Sequence, residues 1–174
     1  DVDNCPGSPP TFTGGNITDF SIEDSISRIG WAESGSSSVY YGGLDGLSST
    51  PVATGQTNVH RVAINGGDPT TYAWSIDVAP GSAQIRDNGT GMSTSTTIFN
   101  GQSVGGMQFG DDGTLYFTDT LAGVVYARSA SGALSIFADE QDAPTEIVVT
   151  ADWVLWVAGG LTTRASGRIE RKHR

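Results

Sequence analysis

The most regular segment of this chain is Gly105-Gly-Met107-Gln-Phe109-Gly-Asp-Asp-Gly113-Thr-Leu-Tyr-Phe117-Thr-Asp119-Thr-Leu-Ala-Gly123-Val-Val-Tyr126. It holds three short apolar runs, at 107–109, 115–118 and 124–126, separated by Asp112-Gly113 and by a second turn that ends at Gly123. Glycine readily adopts the positive φ that tight hairpin turns require. The segment therefore predicts three antiparallel strands joined by hairpins.

Bulky aromatic residues recur at the same place in four such units. Trp31, Trp74, Phe117 and Trp156 follow one another at steps of 43, 43 and 39 residues. A period of roughly 40 to 45 residues with strand-like units is the length of one four-stranded propeller blade. Each aromatic run follows another apolar run, and three of them precede a third apolar strand and a more polar fourth. The pattern predicts an all-β propeller with three complete four-stranded blades and a partial fourth.

The fourth unit ends early, because only the stretch 167–171 is available as its third strand. We divide the chain into an N-terminal segment, 1–18, a region of propeller blades, 19–163, and a basic tail or last strand, 164–174. Two interpretations stay open. Either 1–18 supplies a closing strand to the last blade and a four-bladed ring results, or the chain is a fragment or subunit of a larger propeller. Closure removes the exposed strand edges that promote aggregation.

The segment that ends at Tyr126 resembles a blade of the NHL, SMP-30/gluconolactonase and strictosidine-synthase-like six-bladed propellers. The resemblance implies the fold strongly and an activity weakly. Metal-dependent lactonases of that superfamily bind a divalent cation through Glu, Asn and Asp from different inner strands. At the two positions that match, this chain has Gly105 in place of the Asn and Thr145 in place of the Asp. The resemblance therefore implies no lactonase site at these positions.

Charge is distributed unevenly along the chain. The net charge is −10, yet residues 164–174 hold five of the nine basic residues and one of the 19 acidic ones. An acidic body repels phosphates and anionic lipid, so we expect no nucleic-acid partner. The expected partners are a protein, a glycan or the chain itself.

Composition also bears on localisation. No apolar run approaches the roughly 20 residues that a membrane helix needs, so membrane insertion is not expected. The chain starts at Asp1 rather than Met and has one lysine and 24 glycines. We expect a processed protein that is extracellular or periplasmic.

Three carboxylates follow their aromatic residues at short, similar distances. Glu33, Asp77 and Asp119 lie two, three and two residues after them, so equivalent blades would project these groups at similar places around one face. Such a ring could bind Ca²⁺, which takes roughly six to eight oxygen ligands. The alternative, which we favour, is that each carboxylate accepts hydrogen bonds from backbone N–H groups of the following turn. Ala158 occupies the fourth position and weakens the ring.

Ser103 lies in a G-x-S-x-G match, Gly101-Gln-Ser103-Val-Gly105. A nucleophile elbow needs a strand-to-helix turn that exposes the serine to a histidine base. The residues that follow, 107–109, predict a strand. We therefore assign no catalytic residue and predict that Ser103 lies in a linker between blades.

Single residues carry two further predictions about modification. Cys5 is the only cysteine, so it is either free or paired with another chain. Asn16 and Asn88 begin Asn-x-Thr triplets and are glycosylation sites only in a eukaryotic secretory pathway.

Three functions are consistent with these features. The first is an exported, non-catalytic binding or scaffold module that presents loops on rigid blades to a protein or glycan. The second is a metal-dependent hydrolase of the lactonase or strictosidine-synthase-like kind, or an inactive relative. The third is a structural subunit whose incomplete blades join between chains into an oligomer or fibre.

Overall fold

Regular structure in this protein consists of short strands between tight turns. A computed structural model describes residues 15–45, 49–66, 70–88, 95–159 and 167–174. Within these ranges the only helical segment is a single 3-10 turn, Asp24–Ile26. None of the described residues forms a helix long and apolar enough to cross a membrane. Cys5 lies outside the described residues, and so does most of the predicted closing segment, 1–18.

The described strands form four antiparallel sheets, which we call blades I to IV. Blade I contains β1 (Ile17–Glu23), β2 (Arg28–Glu33), β3 (Ser38–Gly43) and β4 (Ser49–Ala53). Blade II contains β5 (Val59–Asn65), β6 (Thr71–Ala79), β7 (Ser82–Asp87) and β8 (Thr96–Gly101). Blade III contains β9 (Val104–Phe109), β10 (Leu115–Asp119), β11 (Val124–Arg128) and β12 (Leu134–Ala138). Blade IV contains β13 (Ile147–Val149), β14 (Trp153–Ala158) and β15 (Arg168–His173).

Strands pair in chain order within every blade, which confirms the predicted three complete blades and partial fourth. The last described strand, β15, falls in the basic stretch 164–174 and pairs with β14. The first strand begins at Ile17, slightly before the boundary that we drew at residue 19.

Strand register places each aromatic residue opposite an apolar residue of the innermost strand. The four pairs are Phe20 with Trp31, Val62 with Trp74, Met107 with Phe117, and Ile147 with Trp156. Because side chains alternate across a strand, each pair lies on one face of its blade. The aromatic residues that recur along the sequence therefore occupy the equivalent packing position in each blade.

Blades pack face to face through three apolar clusters. Trp74 lies in the cluster between blades I and II, Phe117 in that between II and III, and Trp156 in that between III and IV. In blades II to IV the aromatic residue thus faces the preceding blade. Trp74 and Phe117 are fully buried, and burial of such a side chain contributes about 1.5 to 3 kcal/mol.

Polar side chains also connect neighbouring blades. Thr18 Oγ1 of blade I donates to the Val59 carbonyl of blade II at 3.1 Å. Between blades III and IV, Thr118 Oγ1 donates to the Thr145 carbonyl at 3.0 Å, and Val149 N–H donates to Gln108 Oε1 at 2.9 Å. Each of these bonds joins a side chain of one blade to a backbone group of the next.

Two glycines are required by their surroundings. Gly123 has a φ of 67°, and a Cβ there would lie 2.6 Å from the Gln141 carbonyl oxygen. A Cβ at Gly105 would lie 2.5 Å from Thr120 Oγ1 and 2.9 Å from Thr145 Cα. Gly105 therefore permits close contact between blades III and IV.

Candidate functional site

Four equivalent positions on the inner strands face a common space. Asp19, Arg61, Gly106 and Glu146 each directly precede the apolar residue that pairs with the aromatic of their blade. Inner-strand residues from all four blades line a cavity of about 240 Å³ at this level. Strand register within each blade and the packing of the four blades together bring two acids, one base and one glycine to one place in the molecule.

Arg61 connects the two acids of this set. Its Nη2 lies 2.9 Å from Glu146 Oε1, and its Nη1 lies 3.9 Å from Asp19 Oδ1. Glu146 is largely exposed, so the shorter ion pair stabilises the fold by less than about 1 kcal/mol. The pair therefore serves to orient the Arg61 guanidinium across the cavity more than to hold the blades together.

Asp19 has a second role in joining blades I and II. Its Oδ2 accepts a hydrogen bond from Val62 N–H at 2.9 Å. Burial raises the pKa of Asp19 above the ordinary value, and the Val62 N–H and Arg61 offset only part of this effect. Because the folded-state pKa of Asp19 is raised, the stability that its protonated form contributes at low pH is lost as pH rises from the unfolded-state pKa through the folded-state pKa.

A second cavity, of about 380 Å³, opens between blades II and III at the end where the inner strands begin. We call it the loop groove. Its lining includes Asn58, Asp77, Pro80, Gln102, Ser103 and Leu121. Val78, near the end of β6, is 55% exposed, and Leu121, in the turn after β10, is exposed as well. The loop groove thus combines accessible apolar side chains with polar groups on rigid blades.

His60 lies beside the loop groove. Its Nε2 is 2.9 Å from Asp77 Oδ2, and both side chains are about half exposed. The pairing follows from the adjacent positions of β5 and β6, which spacing along the sequence did not reveal.

Each of the three predicted carboxylates has partners within its own part of the fold. Glu33 accepts from Trp31 Nε1 at 2.9 Å and from Ser36 Oγ at 2.8 Å. Asp77 pairs with His60, as described. Across the described ranges no group of three or more His, Cys, Asp or Glu side chains is arranged to hold a metal ion. Calcium binding by Glu33, Asp77 and Asp119 stays a prediction.

Asp119 accepts three backbone hydrogen bonds. Its Oδ2 takes the Gln102 N–H at 2.8 Å, and its Oδ1 takes those of Ser103 at 3.1 Å and Ala122 at 3.2 Å. Its side chain is buried at the end of β10. This carboxylate orders both the linker into blade III and the turn that follows β10.

Ser103 lies in the linker between blades II and III. Its carbonyl accepts from Thr120 N–H at 2.7 Å, and β9 begins at the next residue, Val104. The segment after Ser103 is therefore a strand, whereas a nucleophile elbow leads into a helix. Thr145, at the other position discussed for a lactonase, donates its N–H to the Val157 carbonyl at 2.8 Å.

The two glycosylation triplets differ in accessibility. Asn16 is exposed just before β1. Asn88 is only 2% exposed, and its Oδ1 accepts from Tyr72 N–H at 2.7 Å. Transfer of a glycan requires an accessible amide nitrogen, so Asn16 is the better placed of the two.

Sequence reasoning missed the set formed by Asp19, Arg61 and Glu146. These residues are far apart in the chain, and no local motif marks them. Their signal was available, because each is a charged residue that directly precedes the inner-strand partner of an aromatic. Superposition of the four repeats residue by residue would have placed them together.

Comparison with known proteins gives a result only at the level of structure. No family model matches the sequence, and no curated protein matches it. Several solved structures match at high probability, all at low sequence identity.

The matched structures are β-propellers. A nidogen/laminin complex has a TM-score of 0.71 at 12% identity, over 94% of this chain and 68% of the other. TolB from Acinetobacter baumannii has a TM-score of 0.70 at 10% identity, over 91% of this chain and 41% of TolB. Streptogramin B lyase has a TM-score of 0.62 at 11% identity, over 90% of this chain and 54% of the lyase.

These matches and the four packed blades define the class of the protein, which is a β-propeller. Such low identities establish the fold and not the activity. This chain spans between 41% and 68% of the lengths of the three proteins.

Proposed function

We propose that this protein is an exported, non-catalytic propeller module that binds a protein partner at the loop groove. The observation that carries the proposal is the groove itself, where exposed Val78 and Leu121 flank a cavity of about 380 Å³ with polar groups in its wall. Protein-binding surfaces typically place apolar anchors beside polar groups that fix orientation. Loops held by rigid blades suit this task.

The negative net charge of the chain favours a partner with basic groups. The net charge of the chain is −10, and Asp77 lies within the loop groove. Acidic surfaces attract cationic partners over distances of about 10 Å at ordinary ionic strength. One matched structure is a complex of two proteins, nidogen and laminin, and this likeness supports a protein as the partner.

A peptide-display selection tests the proposed binding site. The purified chain is immobilised, random peptides are selected against it, and the binding of synthetic winners is measured by calorimetry. We expect enriched peptides to carry basic and apolar residues. We expect Val78→Asp and Leu121→Asp each to weaken their binding at least about tenfold, because a desolvated charge in an apolar contact is costly.

A matched variant controls for a general effect of added charge. Ile136 is exposed on the outer strand β12, away from the loop groove. Ile136→Asp should leave peptide affinity unchanged. Equal binding by all three variants would place the binding site elsewhere and overturn the proposal. If the chain instead bound selectively on a glycan array, with the same dependence on Val78 and Leu121, the partner at the loop groove would be a glycan and not a protein.

The proposed location outside the cytoplasm has a separate test. It rests on the acidic, lysine-poor and glycine-rich composition. Fractionation of the cells that make the protein, followed by immunodetection, should recover it from the periplasm or the medium. Recovery with cytoplasmic markers would contradict export without affecting the loop groove.

A further inference from the structure

The first blade exposes a face that every later blade buries. Phe20 and Ile22 of β1 occupy the positions that Val62 and Ile64 occupy in blade II. Val62 and Ile64 are buried against blade I, whereas Phe20 is 60% exposed and Ile22 is also exposed. Trp31, in the same row as Phe20, is itself buried and stacks on Tyr40 at 5.6 Å between ring centroids. The accessible part of this face therefore runs along β1.

The fourth blade exposes the complementary face. In β14 the buried Val154, Trp156 and Ala158 face blade III, so the alternate residues, among them Leu155, point away from it. The position of Leu155 corresponds to Tyr116 in blade III, which is buried in the cluster shared with blade IV. Leu155 thus belongs to the face that receives the next blade.

Large apolar side chains extend this receiving face. Val148 of β13 and Ile169 of β15 are both exposed, Ile169 to 74%, and Trp153 is partly exposed. Register places Leu155 beside Arg171 and Val157 beside Ile169. Exposed apolar side chains in contiguous rows are uncommon on the surface of a monomer and mark an interaction surface.

We propose that these two faces bind each other between two copies of this chain, with β1 of one copy packing on the receiving face of the next. The contact would repeat the packing that already joins blades I to II, II to III and III to IV. It is heterologous, since each copy contributes a different face.

Charge complementarity favours a second copy as the occupant. The receiving face includes the basic strand β15, where the Arg171 guanidinium lies 4.7 Å from the centroid of the Trp153 ring. The first blade places the exposed Asp24 just beyond the end of β1. The rest of the chain, outside 164–174, is strongly acidic. Opposite charges on the two faces guide head-to-tail docking and disfavour the pairing of like faces.

Sedimentation velocity and native mass spectrometry over a range of protein concentrations test the proposal. We expect the wild-type chain to associate reversibly and the association to weaken with added salt, which screens the charges. Phe20→Glu and Ile169→Glu should each raise the dissociation constant at least about tenfold. Ile22→Glu gives a second variant of the first face, and circular dichroism shows whether each variant is folded.

Mixing the two variants distinguishes a head-to-tail contact from a contact between two like faces. A Phe20→Glu chain keeps an intact receiving face, and an Ile169→Glu chain keeps an intact first face. A mixture of the two should therefore form a one-to-one pair, although neither variant associates alone. Ile136→Glu, which changes an exposed apolar residue of the outer strand β12, should associate like the wild type.

Three results would overturn the proposal. The first is a wild-type chain that stays monomeric at every concentration, as expected if further blades of a longer polypeptide occupy these faces. The second is normal association by either single variant. The third is a variant mixture that stays monomeric while the wild type associates.

Discussion

Asp119 illustrates how a single residue acquires its role from the fold. The sequence placed it two residues after an aromatic, and this spacing is compatible both with a calcium ligand and with a turn acceptor. In the structure its two carboxylate oxygens accept three backbone N–H groups from two different segments. One side chain thus accounts for three backbone hydrogen bonds of the surrounding chain. At the scale of the residue, this arrangement favours a structural role.

We predict that Asp119→Ala lowers the free energy of unfolding by about 3 kcal/mol, because each backbone group left without a partner costs about 1 to 3 kcal/mol. Asp119→Asn should lose less, since its amide oxygen still accepts. Chemical denaturation with chelator and with added calcium measures both effects.

Asp77→Ala is the matched control for this prediction. Its side chain is about half exposed and pairs with His60, so we expect a loss below about 1 kcal/mol. A destabilisation by Asp119→Ala that appears only in the presence of calcium would support the metal interpretation over the structural one.

Linkers between blades act as structural elements in their own right. Gln56, between β4 and β5, accepts the Trp74 indole N–H at 3.1 Å. Gln141, between β12 and β13, does the same for Trp156 at 2.9 Å. Phe117 has no side-chain N–H to donate. Asp119 orders the corresponding linker instead, by accepting the N–H groups of Gln102 and Ser103. Blades II to IV thus share one arrangement, in which a group on the aromatic strand orders the chain that enters its blade.

The Gln56 linker gives a prediction at this scale. Gln56→Ala leaves the fully buried Trp74 N–H without its acceptor and should cost about 1 to 3 kcal/mol of unfolding free energy. Trp74→Phe in the Gln56→Ala background removes the unsatisfied donor. In a double-mutant cycle the two changes should therefore be less destabilising together than the sum of the single changes. Additive losses would show that the bond contributes nothing.

Stability should vary across the molecule as in other repeat proteins. A repeat contacts chiefly its neighbours, so a blade packed on both faces is more stable than one packed on a single face. Blades II and III have apolar clusters on both sides. Blade IV is three-stranded among the described residues, with β15 at its edge.

Hydrogen exchange measured by mass spectrometry tests this gradient. At low protein concentration we expect slow exchange in β6 and β10 and much faster exchange in β15, because local opening costs least at an edge with one free face. Equal protection in β15 and β6 would contradict this picture. Protection of β15 that rises with concentration would agree with head-to-tail association.

The propeller could be inferred from the sequence because its cause is local and periodic. Apolar strands such as 115–118 and turns such as Asp112-Gly113 are formed by residues close together in the sequence. Their recurrence at the length of one blade is compatible with few folds other than a propeller. The set of Asp19, Arg61 and Glu146 has no local motif, and its shared position emerges only when the four repeats are superposed residue by residue. Its members are brought together by the order of blades around a common space, which no short segment contains.

Aromatic spacing and turn chemistry were therefore enough to establish an all-β chain of three full blades and a partial fourth. The tertiary structure determined which side chains are in contact. It oriented Arg61 across the central cavity, paired His60 with Asp77, buried Asn88 and left Phe20 and Ile169 exposed. The physical reason is that strand formation depends on alternation and turns within a blade, whereas contacts between blades depend on distances that arise only when successive sheets pack face to face.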